Sequence, residues 1–168
     1  MTGRIKSVAI CGTGTMGSGI AALCANIGLP VLLLDMASTD GGDRNAVAKA
    51  ALERMQGGRQ PMLKNDDALA RITVGNFDDD LAKIADYDWI VEAIIEDINV
   101  KRDFFARIEA ARGDGSIVAS NTSGIMLAKI TQGLPERLAR DIAVTHFFNP
   151  VQVMKLVELI PGAGTGGR

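Results

Sequence analysis

The sequence holds two cysteines and one histidine in 168 residues. A pair of thiols is neither the disulfide framework of a small secreted domain nor a four-ligand zinc set. Cys11 and Cys24 stand among apolar neighbours and read as small core residues. With no sign of export, the cytoplasm is the favoured compartment. A long basic tract is also missing: 18 Lys and Arg face 20 Asp and Glu, for a net charge of −2. That balance excludes nucleic acid as a first guess for a partner. No apolar run reaches the ~18 residues of a membrane helix, because Asn26, Gly28, Pro30 and Asp35 divide the best candidate. Arg4 and Lys6 precede an apolar stretch in the manner of a signal peptide, yet Gly12, Gly14, Gly17 and Gly19 interrupt it. No internal repeat is evident.

Glycine, by contrast, is in excess, at 19 of 168 residues, where ~7% is usual. An apolar share of 47% is ample for one core. Ser7–Cys11 is a short apolar run ending at glycine, as suits a strand buried on both faces of a parallel sheet. A helix is expected over Met16–Ile27, with Met16, Ile20, Leu23 and Ile27 as its apolar stripe and Gly28 as its stop. Val31–Leu34 is a second strand, closed by the lone acid Asp35. A helix over Asn45–Met55 presents Val47, Ala51, Leu52 and Met55. Beyond it come a polar loop from Arg59 and a short helix over Asp67–Arg71. Further strands are expected at Ile72–Val74, Trp89–Ile94, Ser116–Ala119, Ile142–Thr145 and Lys155–Ile160, with helices at Val100–Ala111 and near Ile125–Ile130. The triplet Asp78-Asp79-Asp80 before a short helix reads as N-terminal capping rather than as a metal site. No other metal-ligating pattern is present. Alternation of strands and helices at this spacing predicts an α/β fold, a doubly wound, mostly parallel sheet with helices on both faces.

Gly12-Thr13-Gly14-Thr15-Met16-Gly17 is a G-x-G-x-x-G, weak alone in a glycine-rich chain. Its context gives it weight. It follows an apolar strand and opens a helix, and Asp35 ends the next strand 18 residues beyond Gly17, where an interval of ~20 is expected for a Rossmann dinucleotide site. In that reading Gly12 permits the tight turn, Gly14 admits a pyrophosphate and Gly17 lets helix and strand approach. Thr15 and Met16 begin the helix whose N–H groups face the phosphates. Asp35 accepts hydrogen bonds from the adenosine ribose and repels a 2′-phosphate, so NAD is preferred to NADP.

The segment His146-Phe147-Phe148-Asn149-Pro150, with Ser120-Asn121-Thr122-Ser123 before it and Met154-Lys155-Leu156-Val157-Glu158 after it, resembles the NAD-binding domain of L-3-hydroxyacyl-CoA dehydrogenases. The likeness spans nearly the whole chain, including Val91-Glu92-Ala93-Ile94. It implies oxidation of the 3-hydroxy group of an acyl-CoA with NAD as acceptor. An imidazole can take the hydroxyl proton at neutral pH, and His146 is the only one. Glu158 would orient that ring if the chain turns at Asn149-Pro150 and comes back beside the preceding strand. By resemblance, Ser123 bonds the reacting oxygen and Asn149 positions the substrate, while Glu96, Lys101 and Asn121 lie near the cofactor ribose. The bland alternatives are a helix cap for Ser123, a pre-proline turn for Asn149, a self-satisfied loop side chain for Asn121, and solvated surface charges for Glu96 and Lys101.

Residues 1–160 are expected to form the NAD-binding domain and 161–168 a flexible tail or the start of a linker. Family members carry a helical C-terminal domain that completes the acyl pocket and makes the main dimer contact. Its absence predicts a fragment or truncated product that binds NAD and carries the base, with catalysis weak or missing when alone. Gly124 and the Arg59–Asp67 segment resemble members fused to an enoyl-CoA hydratase, and Arg54, Arg59 and Lys64 are candidates for contacts to coenzyme A or plain solvated cations. Two other readings stay open: an NAD-binding module or remnant without chemistry, and a related sugar-acid dehydrogenase.

Overall fold

The computed structural model describes residues 5–58 and 61–166. Its strands are β1 (Val8–Cys11), β2 (Val31–Asp35), β3 (Ile72–Asn76), β4 (Trp89–Glu92), β5 (Ile117–Ser120), β6 (Ile142–Phe147) and β7 (Val157–Pro161). The helices are α1 (Thr15–Asn26), α2 (Ala46–Gln56), α3 (Asp66–Ala70), α4 (Ile98–Ala111), α5 (Leu127–Thr131) and α6 (Glu136–Asp141), with a 3₁₀ turn at Leu81–Asp86. One sheet runs β3-β2-β1-β4-β5-β6-β7, parallel except for β7, which is antiparallel to β6. Successive strand residues face opposite sides. Val8, Ile10, Val31 and Leu33 meet one core with α1, α2 and α3, whereas Ala9, Cys11, Leu32 and Leu34 meet another with α4, α5 and α6. Burial on both faces is why these strands read as unbroken apolar runs rather than alternating ones. The expected doubly wound architecture is present.

Several helices pack differently from their periodicity. In α1 the buried residues include Gly17, Ser18, Gly19, Ala21, Ala22 and Ala25 with Ile20, while Ile27, assigned to the apolar stripe, is 68% exposed. The small residues let the helix lie close on the sheet, so its larger side chains are pushed to the flanks. In α2 it is Ala48, Ala51 and Met55 that are buried, and Val47 faces out. Asp80 stands at the N-cap of the 3₁₀ turn, but its side chain makes no capping bond there. Asp79 pairs with Arg44 (2.6 Å) and accepts from Asn76, and Asp80 accepts from the Asn76 N–H (2.9 Å) and binds Lys83. β4 stops at Glu92 instead of running to Ile94, because the Ile94 N–H turns back onto the Glu92 carboxylate (2.9 Å). The helix α6 had no sequence expectation, and the short helix expected over Asp67–Arg71 lies at Asp66–Ala70, capped by Asn65. Arg59 lies outside the described residues.

At the N-terminal ends of β5 and β6 the Arg112 guanidinium is wholly buried, 2.9 Å from Asp141 and 2.5 Å from Glu109, and it also donates to the Ser116 carbonyl. This cluster ties α4, α6 and the sheet together at the end away from the glycine loop. No described helix is long and apolar enough to cross a membrane.

Candidate active site

The strand order reverses at β1, which has β2 on one side and β4 on the other, and the chain leaves β1 at Gly12. In an open α/β sheet a ligand crevice forms at such a switch point. Gly12 has φ +109°, open to glycine alone, and a Cβ there would strike the Ala93 backbone. A Cβ on Gly17 would be driven into the Gly12 carbonyl, whereas one on Gly14 would meet nothing in the protein within 4 Å. So two glycines are demanded by the fold, and the third leaves open space. Gly14 is the N-cap of α1 and no side chain or first-turn acid satisfies the helix end, which leaves its N–H groups available to an anion.

Two clefts meet across Ala93 and Ile94 at this end of the sheet. The larger, of about 750 Å³, is lined by Gly12, Gly14, Asp35, Phe77, Ile95 and Arg107 among others. Asp35 Oδ2 accepts from both the N–H (2.6 Å) and the hydroxyl (2.5 Å) of Thr13, and its Oδ1 accepts from the Met36 N–H. A carboxylate has about four lone-pair sites, so one remains for a ribose hydroxyl. Thr13 was not among the expected site residues.

The smaller cleft, of about 370 Å³, gathers Met16, Glu96, Lys101, Asn121, Ser123, His146 and Asn149. All seven came from the sequence. The β6–β7 register sets His146 opposite Glu158, and His146 Nδ1 lies 2.8 Å from Glu158 Oε2. An ionised carboxylate only accepts, so Nδ1 carries the proton and Nε2 keeps its lone pair free for another. The return of the chain at Asn149-Pro150 thus has the form expected of it. Asn121 Oδ1 accepts from the Phe147 N–H (2.9 Å), locking the β5 loop to β6 rather than satisfying its own backbone. Ser123 is not a helix cap. Helix α5 begins behind Met126 with no side chain capping it; the Thr122 hydroxyl accepts from the Ile125 N–H (3.1 Å) in the loop ahead of it, and Ser123 lines the cleft.

Glu96 receives the Thr122 hydroxyl and the N–H groups of Ser123 and Gly124. Partial burial pushes its carboxyl up, but the Thr122 hydrogen bond and the nearby Lys101 charge outweigh this and hold it below the usual value. Lys101 is no surface cation. It is 1% exposed and 2.5 Å from Glu92, a fully buried acid at the end of β4 that sequence reasoning overlooked. The available signal was a single carboxylate in an otherwise apolar strand, nine residues before a lysine. Arg54 and Lys64 line neither cleft. Among the described residues no group of three or more His, Cys, Asp or Glu is gathered that could hold a metal ion.

The 3-hydroxyacyl-CoA dehydrogenase, NAD binding domain family matches residues 7–167. The chain belongs to this family. It is 42% identical over 158 residues to a Deinococcus radiodurans protein bearing the name 3-hydroxyacyl-CoA dehydrogenase, covering 94% of this chain and 46% of that one. It is 39% identical to a Rickettsia felis protein named as a trifunctional enzyme of a fatty acid oxidation complex, covering 95% of this chain and 22% of that one. Relatives of this domain are thus parts of larger multifunctional enzymes, and the chain spans less than half of either protein. Among solved structures, the 3-hydroxybutyryl-CoA dehydrogenase of Escherichia coli K12 superposes with a TM-score of 0.79 at 29% identity, over 97% of this chain and 34% of that one. The (S)-3-hydroxybutyryl-CoA dehydrogenase of Ralstonia eutropha gives 0.75 at 34% identity, over 96% and 56%. The family and the fold expected from the sequence are both as read.

Proposed function

We propose that this domain supplies the cofactor site and the catalytic base for NAD-dependent oxidation of the 3-hydroxy group of an (S)-3-hydroxyacyl-CoA to the 3-ketone. The observation that carries the reading is that His146, paired with Glu158, faces one cleft with Ser123 and Asn149. The fit to NAD rests on the open space beside Gly14, the unsatisfied end of α1 and the spare acceptor on Asp35. Gly12, Gly14, Thr15, Met16 and Gly17 would hold the pyrophosphate, Asp35 the adenosine ribose, and Glu96, Lys101 and Asn121 the far half. Asp35 also disfavours a 2′-phosphate by like charge. NAD held there would supply the acceptor for the hydride of the carbinol carbon.

The chain's own residues handle the proton. Nε2 of His146 removes it from the substrate hydroxyl, and Glu158 stabilises the imidazolium that results. The Ser123 hydroxyl bonds the reacting oxygen and Asn149 fixes the substrate beside it. A helical domain of the family type, seated against the exposed β7 edge, would complete the acyl pocket and dimerise. We further propose a reducing, cytoplasmic setting, which the two unpaired, buried cysteines support.

The test is acetoacetyl-CoA-dependent oxidation of NADH by the 168-residue chain at high protein concentration. Slow turnover is expected, falling by ~100-fold or more in His146→Ala while NADH affinity holds. Equal measurable rates in the two, or failure of the parent chain to bind NADH, refutes the reading.

A further inference from the structure

Behind the smaller cleft three charges share one hydrogen-bonded unit. The Lys101 ammonium lies 2.5 Å from Glu92 Oε1 and 3.2 Å from Glu96 Oε2. Glu92 is 0% exposed and is further tied by the Ser120 hydroxyl (2.6 Å) and the Ile94 N–H (2.9 Å). Lys101 and Glu96 line the cleft; Glu92 does not and stands behind them. The buried pair sums to zero wherever its proton resides, and Glu96 then leaves the unit at −1. Across the cleft His146 adds no charge when neutral, and Glu158, behind it, adds a second negative one.

We propose that Glu92 sets the cofactor's redox preference: by cancelling Lys101 it leaves Glu96 uncompensated, and the site favours the positively charged oxidised nicotinamide over the neutral reduced one. The inference rests on the nicotinamide occupying this half of the cleft. The two cofactor forms share their adenosine, pyrophosphate and riboses, so the ratio of their affinities isolates the field at the ring. One unit charge acting over about 10 Å at an effective dielectric of about 20 alters such an equilibrium by roughly tenfold.

The experiment measures dissociation constants of the 168-residue chain for NAD⁺ by calorimetry and for NADH by fluorescence. In Glu92→Gln, which conserves volume, keeps its oxygen as the acceptor for Lys101 and turns its amide as a donor to the Ser120 hydroxyl, Lys101 neutralises Glu96. The Kd ratio of NAD⁺ to NADH should rise about three- to tenfold. Glu96→Gln should raise it similarly, and Glu92→Gln/Lys101→Met should return it to within about twofold of the parent. If Glu92→Gln fails to fold, Lys101→Met against the double variant makes the same comparison, with a lower ratio expected where Glu92 is kept. Equal weakening of both cofactor forms by Glu92→Gln overturns the inference and leaves Glu92 a structural residue. A shift in Glu96→Gln without one in Glu92→Gln overturns it too. No shift in either variant overturns it together with the nicotinamide placement.

Discussion

Gly14→Ala should separate cofactor affinity from fold stability. The residue already has φ −63° and ψ −174°, a conformation alanine adopts, and its missing Cβ faces open space. Replacing glycine there removes unfolded-state entropy worth about 0.4–1 kcal/mol. Alanine is a poorer N-cap than glycine, at a cost of about 0.5–1 kcal/mol. The two nearly cancel. For a chain of this size the melting temperature should stay within about 2 °C of the parent. The added methyl sits where a pyrophosphate would approach the backbone, and loss of one hydrogen bond to a charged group costs about 1.5–3 kcal/mol. At about 1.4 kcal/mol per decade, NADH should bind ten- to a hundredfold more weakly. Gly17→Ala is the counterpart, because its methyl collides with the Gly12 carbonyl. Overpacking of about 1–3 kcal/mol should lower its melting temperature by several degrees. Differential scanning fluorimetry and NADH fluorescence titration on the same samples decide the matter. A Gly14→Ala chain that melts far lower, or binds NADH as tightly as the parent, refutes the assignment of that gap to the phosphates.

Arg112→Met breaks the buried Arg112–Asp141–Glu109 cluster and should cost about 3–5 kcal/mol. With a urea slope of about 2 kcal/mol per M the midpoint falls by about 1.5–2.5 M, and NADH affinity per folded molecule is unchanged because the cluster lies at the other end of the sheet. The Glu96 carboxyl is held below its ordinary value of 4.5 in the folded chain. Its contribution is therefore present above the unfolded value and lost as pH falls through the folded one. Urea midpoints measured below pH 4.5 should decline less steeply in Glu96→Gln. Burial pushes the Cys24 thiol up to about 12, and Cys11 is raised as well. At pH 8 a thiol reagent should label neither in the folded chain and both in urea; fast native labelling would contradict the packing of α1 on β1.

The centre of the sheet was legible because Val8–Cys11 and Val31–Leu34, buried on both faces, hold no polar residue to blur them. The β7 return was legible because a carboxylate twelve residues past a lone histidine, across Asn-Pro, has a geometric consequence. The face of α1 was not. Helical periodicity scores large apolar residues, and this helix packs through glycine and alanine, with Gly19 close to Val151. The acidic triplet was misread because its partner, Arg44, is 35 residues from Asp79 and no local pattern links them. Glu92 escaped for a related reason: a single buried acid has no period, and only the turn of α4 that lowers Lys101 onto it reveals its role.

The five residues of β7 are all exposed, and Leu159 and Ile160 among them are apolar. Glu158 therefore rides on the least packed strand of the sheet, held against His146 by the ladder to β6 rather than by a core. Anything that settles on that outer edge will stiffen the imidazole's partner, and anything that peels it away will loosen it. The geometry of the His146–Glu158 pair is in this sense on loan from whatever lies alongside β7.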